Sequence, residues 1–298
     1  MKPLLRSALP IAFVLTALCG FAQRTDTLAH GVARHVLILP SVYMSSSAEW
    51  SIADMHALSP GSTLLGRDLS AYSLVHGRSF SAAPSVNGSI ALGIKHHSTS
   101  ASGPLLRVGF GFTSGINSNA SLRNETRTPY DTLTSAQTGH ATYIDSVVTS
   151  TYDVRHTYQR VALDASLIYC KQIGQRWTLY GGIGAWAGMA FNGETTVEHS
   201  VARGQQPVVG TIDTQNPSEG RNRDAMEREV IHTANSFVSG VYVPIGISWR
   251  IARDNAFLRL FHLTYEMRPT LGFGGVPELN TMMQGGVSQS FGVRMDLH

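Results

Sequence analysis

Apolar and polar residues alternate with period two through the last third of the chain. In residues 236–251 the odd positions carry Phe237, Val241, Val243, Ile245, Ile247, Trp249 and Ile251, while the even positions include Gly240, Gly246, Ser248 and Arg250. In 257–271 Phe261, Leu263, Tyr265, Met267 and Leu271 oppose His262, Thr264, Glu266, Arg268 and Thr270. The final run sets Phe291, Val293, Met295 and Leu297 against Ser290, Arg294 and Asp296. Such alternation places one set on each face of a β-strand. Further runs at 177–192, 158–171, 105–117, 85–95 and, less regularly, 34–44 bring the total to about eight strands, an even number that suits a small closed barrel.

The connections alternate too. Short ones fall at 96–104, 172–176 and 252–256, and long polar ones at 45–84, 118–157 and 193–235, followed by a moderate one at 272–283. Tight turns at one end and loops free to grow at the other predict an all-β fold: an antiparallel up-and-down transmembrane β-barrel of about eight strands with long extracellular loops. Tyr169, Trp177, Trp249 and Phe257 then lie on the outward face beside the short turns, as an aromatic girdle, with Phe191, Phe237 and Tyr265 toward the other rim. The outward charges Lys171 and Arg259 fall near strand ends, where their cost in lipid is small. Pro244 and Pro269 remove ladder donors and predict bulges or fraying, and Pro40 interrupts the first strand. Residues 48–58 read as a short helix ending before Pro60, part of a loop or lid.

The front of the chain changes the compartment. Lys2 and Arg6 precede an apolar stretch from Ala8 to Leu18 and the small-residue sequence Gly20-Phe21-Ala22. This reads as a signal peptide over residues 1–22, cleaved near Ala22, leaving 23–298 as a single barrel domain whose clearest strands run from 85 to 298. Leu18 before Cys19 argues against lipidation, and cleavage leaves Cys170 alone, with a packing role and no internal disulfide. It also removes two positive charges, leaving 21 Lys and Arg against 20 Asp and Glu, so nothing points to nucleic acid. Charged residues make up only 14% of the chain, which suits strands and turns better than disorder.

The C-terminal Ser290-Phe291-Gly292-Val293-Arg294-Met295-Asp296-Leu297 resembles the terminal signal of bacterial outer-membrane barrels. Ser290, Gly292, Met295 and Leu297 stand at its characteristic positions, with Leu297 in place of the frequent aromatic and His298 following. Residues 177–192, with Gly181, Gly182, Gly184 and Gly188, and the pair 242–251 and 257–269 are similar to strands and hairpins of the same class. From about residue 85 onward the chain therefore resembles a small outer-membrane β-barrel protein of the OmpA/OmpX-like class. The resemblance implies location in the cell outer membrane, outer-membrane lipid as surroundings and the barrel-assembly machinery as a transient partner. It also implies an enzymatic alternative, because small barrels of this kind include lipid A deacylases and acyltransferases that use Ser, His and an acidic group.

A barrel of this size has an interior just wide enough for side chains to fill. The inward set includes Arg107, Tyr158, Arg160, Asp164, Tyr180, Trp186, Tyr242, Arg250, His262, Glu266, Arg268, Arg294 and Asp296. Buried charges persist when paired, so Asp164, Glu266 and Asp296 are expected to meet Arg160, Arg268 and Arg294, with His262 as a core histidine. A packed polar core of this kind disfavours a wide aqueous pore. His262, Glu266 and Ser288 supply the residue types of a hydrolase, yet His262 and Glu266 lie roughly 13 Å apart along one strand.

No catalytic, cofactor or metal site is assigned. His96 and His97 lack partnered ligands at a recognisable spacing and fall in a turn, and Gly181-Gly182-Ile183-Gly184 lies inside a strand, where it reads as packing against large neighbours such as Trp186. The loop 118–157, with Arg123, Glu125, Arg127, Tyr130, Asp131, Tyr143 and Asp145, and the charged run 219–229 are the exposed candidates for recognition. The leading expectation is a monomeric, non-enzymatic barrel anchoring surface loops for envelope integrity, adhesion or binding of an extracellular ligand. The alternatives are a lipid A-modifying enzyme, a narrow small-solute channel and a secreted β-sandwich binding protein.

Overall fold

The computed structural model describes residues 33–47, 50–75, 80–93, 103–134, 136–137, 139, 141–207, 222–252, 255, 257–274 and 282–297. The expected signal peptide and the pair His96 and His97 lie outside them. The elements are β1 (Ala33–Ser47), helix α1 (Ile52–Leu58), β2 (Ser73–Val75), β3 (Phe80–Gly93), β4 (Gly103–Thr134), β5 (Ala141–Ile173) and β6 (Trp177–Pro207). They continue with β7 (Asn222–Thr233), β8 (Ser236–Tyr242), β9 (Ile245–Arg250), a 3-10 turn at Leu258–Leu260, β10 (Phe261–Gly274) and β11 (Met282–Asp296).

Every ladder is antiparallel, and β1 pairs with both β3 and β11, which closes the sheet on itself. Strands β7, β8 and β9 follow one another along β6, and β8 and β9 also pair with β10, so the three form one interrupted wall. The result is a ring of eight walls. Its outer surface is apolar: Leu163, Ile183 and Phe237 are 66%, 68% and 66% exposed, in company with Leu167, Leu179, Met189, Val241 and Ile245. A continuous exposed band of this kind is unstable in water and is what hydrocarbon covers in a transmembrane barrel. Among the described residues no helix is long and apolar enough to cross a membrane.

The prolines act differently from expectation. The break at Pro244 separates β8 from β9, but β10 runs through Pro269 and β1 through Pro40 without interruption. The ladder between Thr270–Tyr242 and Met267–Ile245 keeps register, placing Pro269 beside the gap at 243–244. There Val243 N donates to Pro269 O and Gly182 N to Pro244 O, both at 3.0 Å. A carbonyl remains available where the proline donor is missing, so the wall holds. Residues 257–260 are turn rather than strand, and Tyr265 sits mid-strand opposite Ile247 and Phe291 instead of at the rim.

The largest departure concerns the long connections. Residues 118–134, 141–157 and much of 193–235 are continuations of β4, β5, β6 and β7, not loops. Extra residues are accommodated in β4 between Thr113 and Ile116 and in β6 between Phe191 and Glu194, both facing the same stretch of β5. Gly115 and Asn192 take positive φ (73° and 50°) at these bulges, a conformation that Gly and Asn tolerate best. The bulges invert which residues face inward: Arg107, Thr113 and Tyr180 are buried below them, Ile116, Leu122, Thr195 and Val197 above. From Ile116 to Thr134 the hairpin extends by roughly 60 Å of strand beyond the membrane band.

Candidate functional site

Side chains occupy the lumen in three tiers. At the short-turn end, Asp296 accepts from His262 Nε2 and Arg294 Nε, both at 3.0 Å. At the centre, Glu266 receives Arg107 Nη1 at 2.5 Å, Arg107 Nη2 at 3.1 Å and Tyr180 Oη at 2.6 Å. Arg268 Nε also donates to Glu266, and its Nη1 lies 3.8 Å from Asp164, which accepts from Tyr242 Oη at 2.8 Å. Nearer the extracellular end, Arg160 is held between the rings of Tyr43 and Trp186, at 4.6 and 4.4 Å from their centroids. Arg107 and Glu266 are fully buried. A carboxylate there keeps its charge because four donors replace water.

Small cavities remain on either side of the central tier. One of about 50 Å³ is lined by residues including Tyr43, Asn87, Arg160, Trp186, Arg268 and Ser288. A second, about 10 Å³, lies among residues including His35, Leu37, Arg107, Cys170, Tyr180 and Arg294. The Arg107–Glu266–Arg268 tier stands between these two cavities.

Of the arginines expected to meet the carboxylates, Arg268 and Arg294 do so, whereas Arg160 has aromatic rather than carboxylate neighbours among the described residues, and Arg107, outside that set, joins Arg268 on Glu266. Arg107 stood on the inward face of its run, opposite Ser166, whose Oγ accepts from its Nε at 3.2 Å, but one-dimensional spacing could not rank it above Arg160. The hydrolase-type residues do not converge: His262 is paired with Asp296, while Ser288 lies opposite Arg268, six positions along the wall. Among the described residues no group of three His, Cys, Asp or Glu is arranged to hold a metal.

Tyr169, Trp177, Trp249 and Phe257 lie at the short-turn end; Trp177 and Trp249 are register partners with ring centroids 6.2 Å apart, and Phe257 packs on Phe261 at 5.1 Å. At the C-terminus Ser290 points inward and is buried, Gly292 lies against the β1 backbone at Ile38, Met295 pairs with Val36, and Leu297 N donates to Arg34 O at 2.8 Å. Contrary to the expectation, it is not the glycines of β6 that accommodate Trp186. Gly240 and Gly272 lie under that ring, while Gly184 makes room for Tyr242 and Gly246 for Tyr180. Cys170 is buried against Ile168, Tyr180 and Leu105.

Beyond the bulges the sheet has its own apolar core. Trp50, Met55, Leu58, Leu64, Leu65 and Leu69 from the 50–75 segment pack on Leu122, Tyr152, Val154 and Val197 of the extended strands. Helix α1 is too short to persist alone. It is fixed by a capping box between Ser51 and Asp54 and by Thr195 Oγ1 donating to Leu58 O at 3.0 Å. The segment is tied again at Glu229 of β7, whose carboxylate accepts from Ser62 Oγ at 2.6 Å, from Thr63 Oγ1 and from Leu64 N. Burial opposes the Glu229 charge, but these hydrogen bonds outweigh it and hold the carboxyl below its usual range. His156, just above the bulges, is lowered to about 4 by burial, and because the Thr195 hydroxyl proton goes to Leu58 O, His156 Nδ1 donates to Thr195 Oγ1 at 3.0 Å. At the hairpin end Tyr130, Leu133 and Tyr143 are exposed. The signal for this covered sheet was the density of apolar residues between 50 and 69 inside an otherwise polar connection.

No protein-family model matches the sequence, and no curated protein matches it. Among solved structures the chain is similar to Neisserial surface protein A, NspA, at 12% identity and TM-score 0.31, over 88% of this chain and 97% of that one. It is also similar to Ail, the attachment invasion locus protein of Yersinia pestis, at 11% identity and TM-score 0.28, over 88% and 99% of the two chains. The outer membrane protease OmpT of Escherichia coli matches at 9% identity and TM-score 0.27, over 92% and 100%. These are outer-membrane β-barrel proteins. At such values the architecture rests on the closed ladder and the apolar band, not on the likeness.

Proposed function

We propose that this outer-membrane barrel is a non-conducting, non-enzymatic anchor whose extracellular sheet captures a ligand or a neighbouring surface. The observation that carries the reading is the hydrogen-bonded continuation of β4–β7 beyond the membrane band, covered on one face by 50–75 and exposed at its tip. A packed sheet holds recognition residues in fixed positions, so binding spends less conformational entropy than a free loop would. In this reading the chain is delivered by a signal peptide cleaved near Ala22. Ser290, Gly292, Met295 and Leu297 engage the barrel-assembly machinery, and the barrel stays monomeric in outer-membrane lipid.

The test replaces residues 116–157 and 193–235 by short turns and removes 50–75, leaving the membrane barrel. Cells carrying this variant are expected to keep a heat-modifiable barrel in the outer membrane and to lose surface binding that the full chain confers. Undiminished binding by the trimmed barrel contradicts the proposal.

A further inference from the structure

The 50 Å³ lumen cavity is lined by two guanidinium groups, Arg160 and Arg268, and one carboxylate, Asp164. Glu266 spends both oxygens on Arg107, Arg268 and Tyr180. Asp164, which also lines the cavity, gives Oδ1 to Tyr242 and turns Oδ2 toward Arg268 Nη1. Among the described residues, three buried polar atoms of the lining side chains, Arg268 Nη2, Tyr43 Oη and Ser288 Oγ, have no hydrogen bond to protein. The Arg268 and Ser288 side chains are more than nine-tenths buried, as is Tyr43. A guanidinium can only donate, so Arg268 Nη2 requires an acceptor, and among the described residues none lies within hydrogen-bond distance of it.

The charges point the same way. Arg107, Arg160 and Arg268 face Asp164 and Glu266, which leaves one positive charge in excess in and around the cavity, localised at Arg160. Arg160 lies between two rings, and its Nη2 makes a long hydrogen bond to Thr113 Oγ1 at 3.4 Å. Ring faces stabilise the cation without neutralising it. At roughly 10–15 Å³ per water-sized probe, the space admits a monatomic anion with part of its hydration shell, and nothing as large as a sugar or an acyl chain.

We infer that this cavity is a binding site for one small monovalent anion of halide size, held by Arg160 and Arg268 with Tyr43 and Ser288 completing its hydrogen bonds. The site requires no movement of the Arg107–Glu266 pair and is independent of what the extracellular sheet binds.

Trp186 stands against the cavity and Arg160, which gives an optical readout. The full barrel in detergent, exchanged into nitrate-free fluoride buffer, is titrated with iodide, in parallel with Trp186→Phe and Arg160→Met. The wild-type fluorescence is expected to show a saturable quenched component that is absent in W186F and weakened at least tenfold in R160M. Crystals grown in bromide are expected to show an anomalous peak among Arg160, Arg268, Tyr43 and Ser288. Quenching that stays linear with iodide and unchanged in W186F overturns the site, as does a bromide crystal with no anomalous peak in the cavity. Should R160M fail to give a heat-modifiable barrel, saturation in the wild type and the bromide density decide the question without it.

Discussion

Arg107 and Glu266, 159 positions apart in the chain, meet in a two-pronged ion pair at 2.5 and 3.1 Å across the centre of the lumen. The pair joins β4 to β10, which are not neighbours in the wall. Removing one partner leaves the other charge buried, at a cost of about 3–5 kcal/mol. Glu266→Gln and Arg107→Met are therefore each expected to lower the unfolding midpoint in detergent strongly. The double variant recovers much of the loss, because no uncompensated charge remains on that pair. Urea titration followed by the unheated-to-heated gel shift measures both. A double variant no more stable than the worse single one contradicts the coupling.

Gly246 controls the same tier from the wall. A Cβ built there would lie 2.3 Å from Tyr180 Cζ and 2.4 Å from its hydroxyl, and that hydroxyl is committed to Glu266. Gly246→Ala is expected to cost about 1–3 kcal/mol by overpacking. Combined with Tyr180→Leu, it costs less than the sum of the two separate changes, since the clash and the hydrogen bond belong to one contact. A double-mutant cycle on the detergent unfolding midpoint checks this.

The extracellular layer responds independently of the membrane wall. Leu58 and Leu65 are fully buried between 50–75 and the sheet. Truncating either to Ala removes about 2–5 kcal/mol of packing, more than the segment gains from any single hydrogen bond. Limited proteolysis on intact cells is expected to cut within 50–75 in both variants, while the heat-modifiable barrel persists. Loss of the barrel itself contradicts the separation.

Acid should loosen this layer. Glu229 has a lowered carboxyl pKa in the folded chain, so its contribution is present above the unfolded value of 4.5 and is lost as pH falls through the folded one. His156 acts in the same direction: the unfolded imidazole takes up a proton from 6.5 downward, the folded one only near 4, so folding is progressively disfavoured across that interval. Protease susceptibility of 50–75 is expected to rise as pH falls from 6.5 to well below 4.5, with His156→Gln flattening the part between 6.5 and about 4 and Glu229→Gln the part below 4.5. A flat profile in the wild type contradicts both assignments.

What the sequence made legible is what depends on short range. Alternation located β8 to β11 and the inward positions of Asp164, His262, Glu266 and Arg294, because each face of a strand keeps one environment throughout the membrane. The loop boundaries near 118, 157 and 193 mark real transitions, but to bulges: local composition turned polar where the strands left the lipid, and polarity does not distinguish a solvated strand from a loop. Partner choice was not legible. Arg107 and Arg160 both point inward on adjacent strands, and only the barrel's stagger, which shifts neighbouring walls along one another, decides which reaches Glu266. Pro269 was misleading because its missing donor coincides with the gap at Pro244 in the next strand, a coincidence invisible from either run alone.

The most direct test of a closed, side-chain-filled barrel is the mobility of the full chain from the outer-membrane fraction on a detergent gel, unheated and boiled. The structure requires the unheated protein to run as a compact species and to shift on boiling, with Glu266→Gln shifting at a lower temperature than the wild type. Recovery of the protein as a soluble species with a single, heat-independent band would contradict the account.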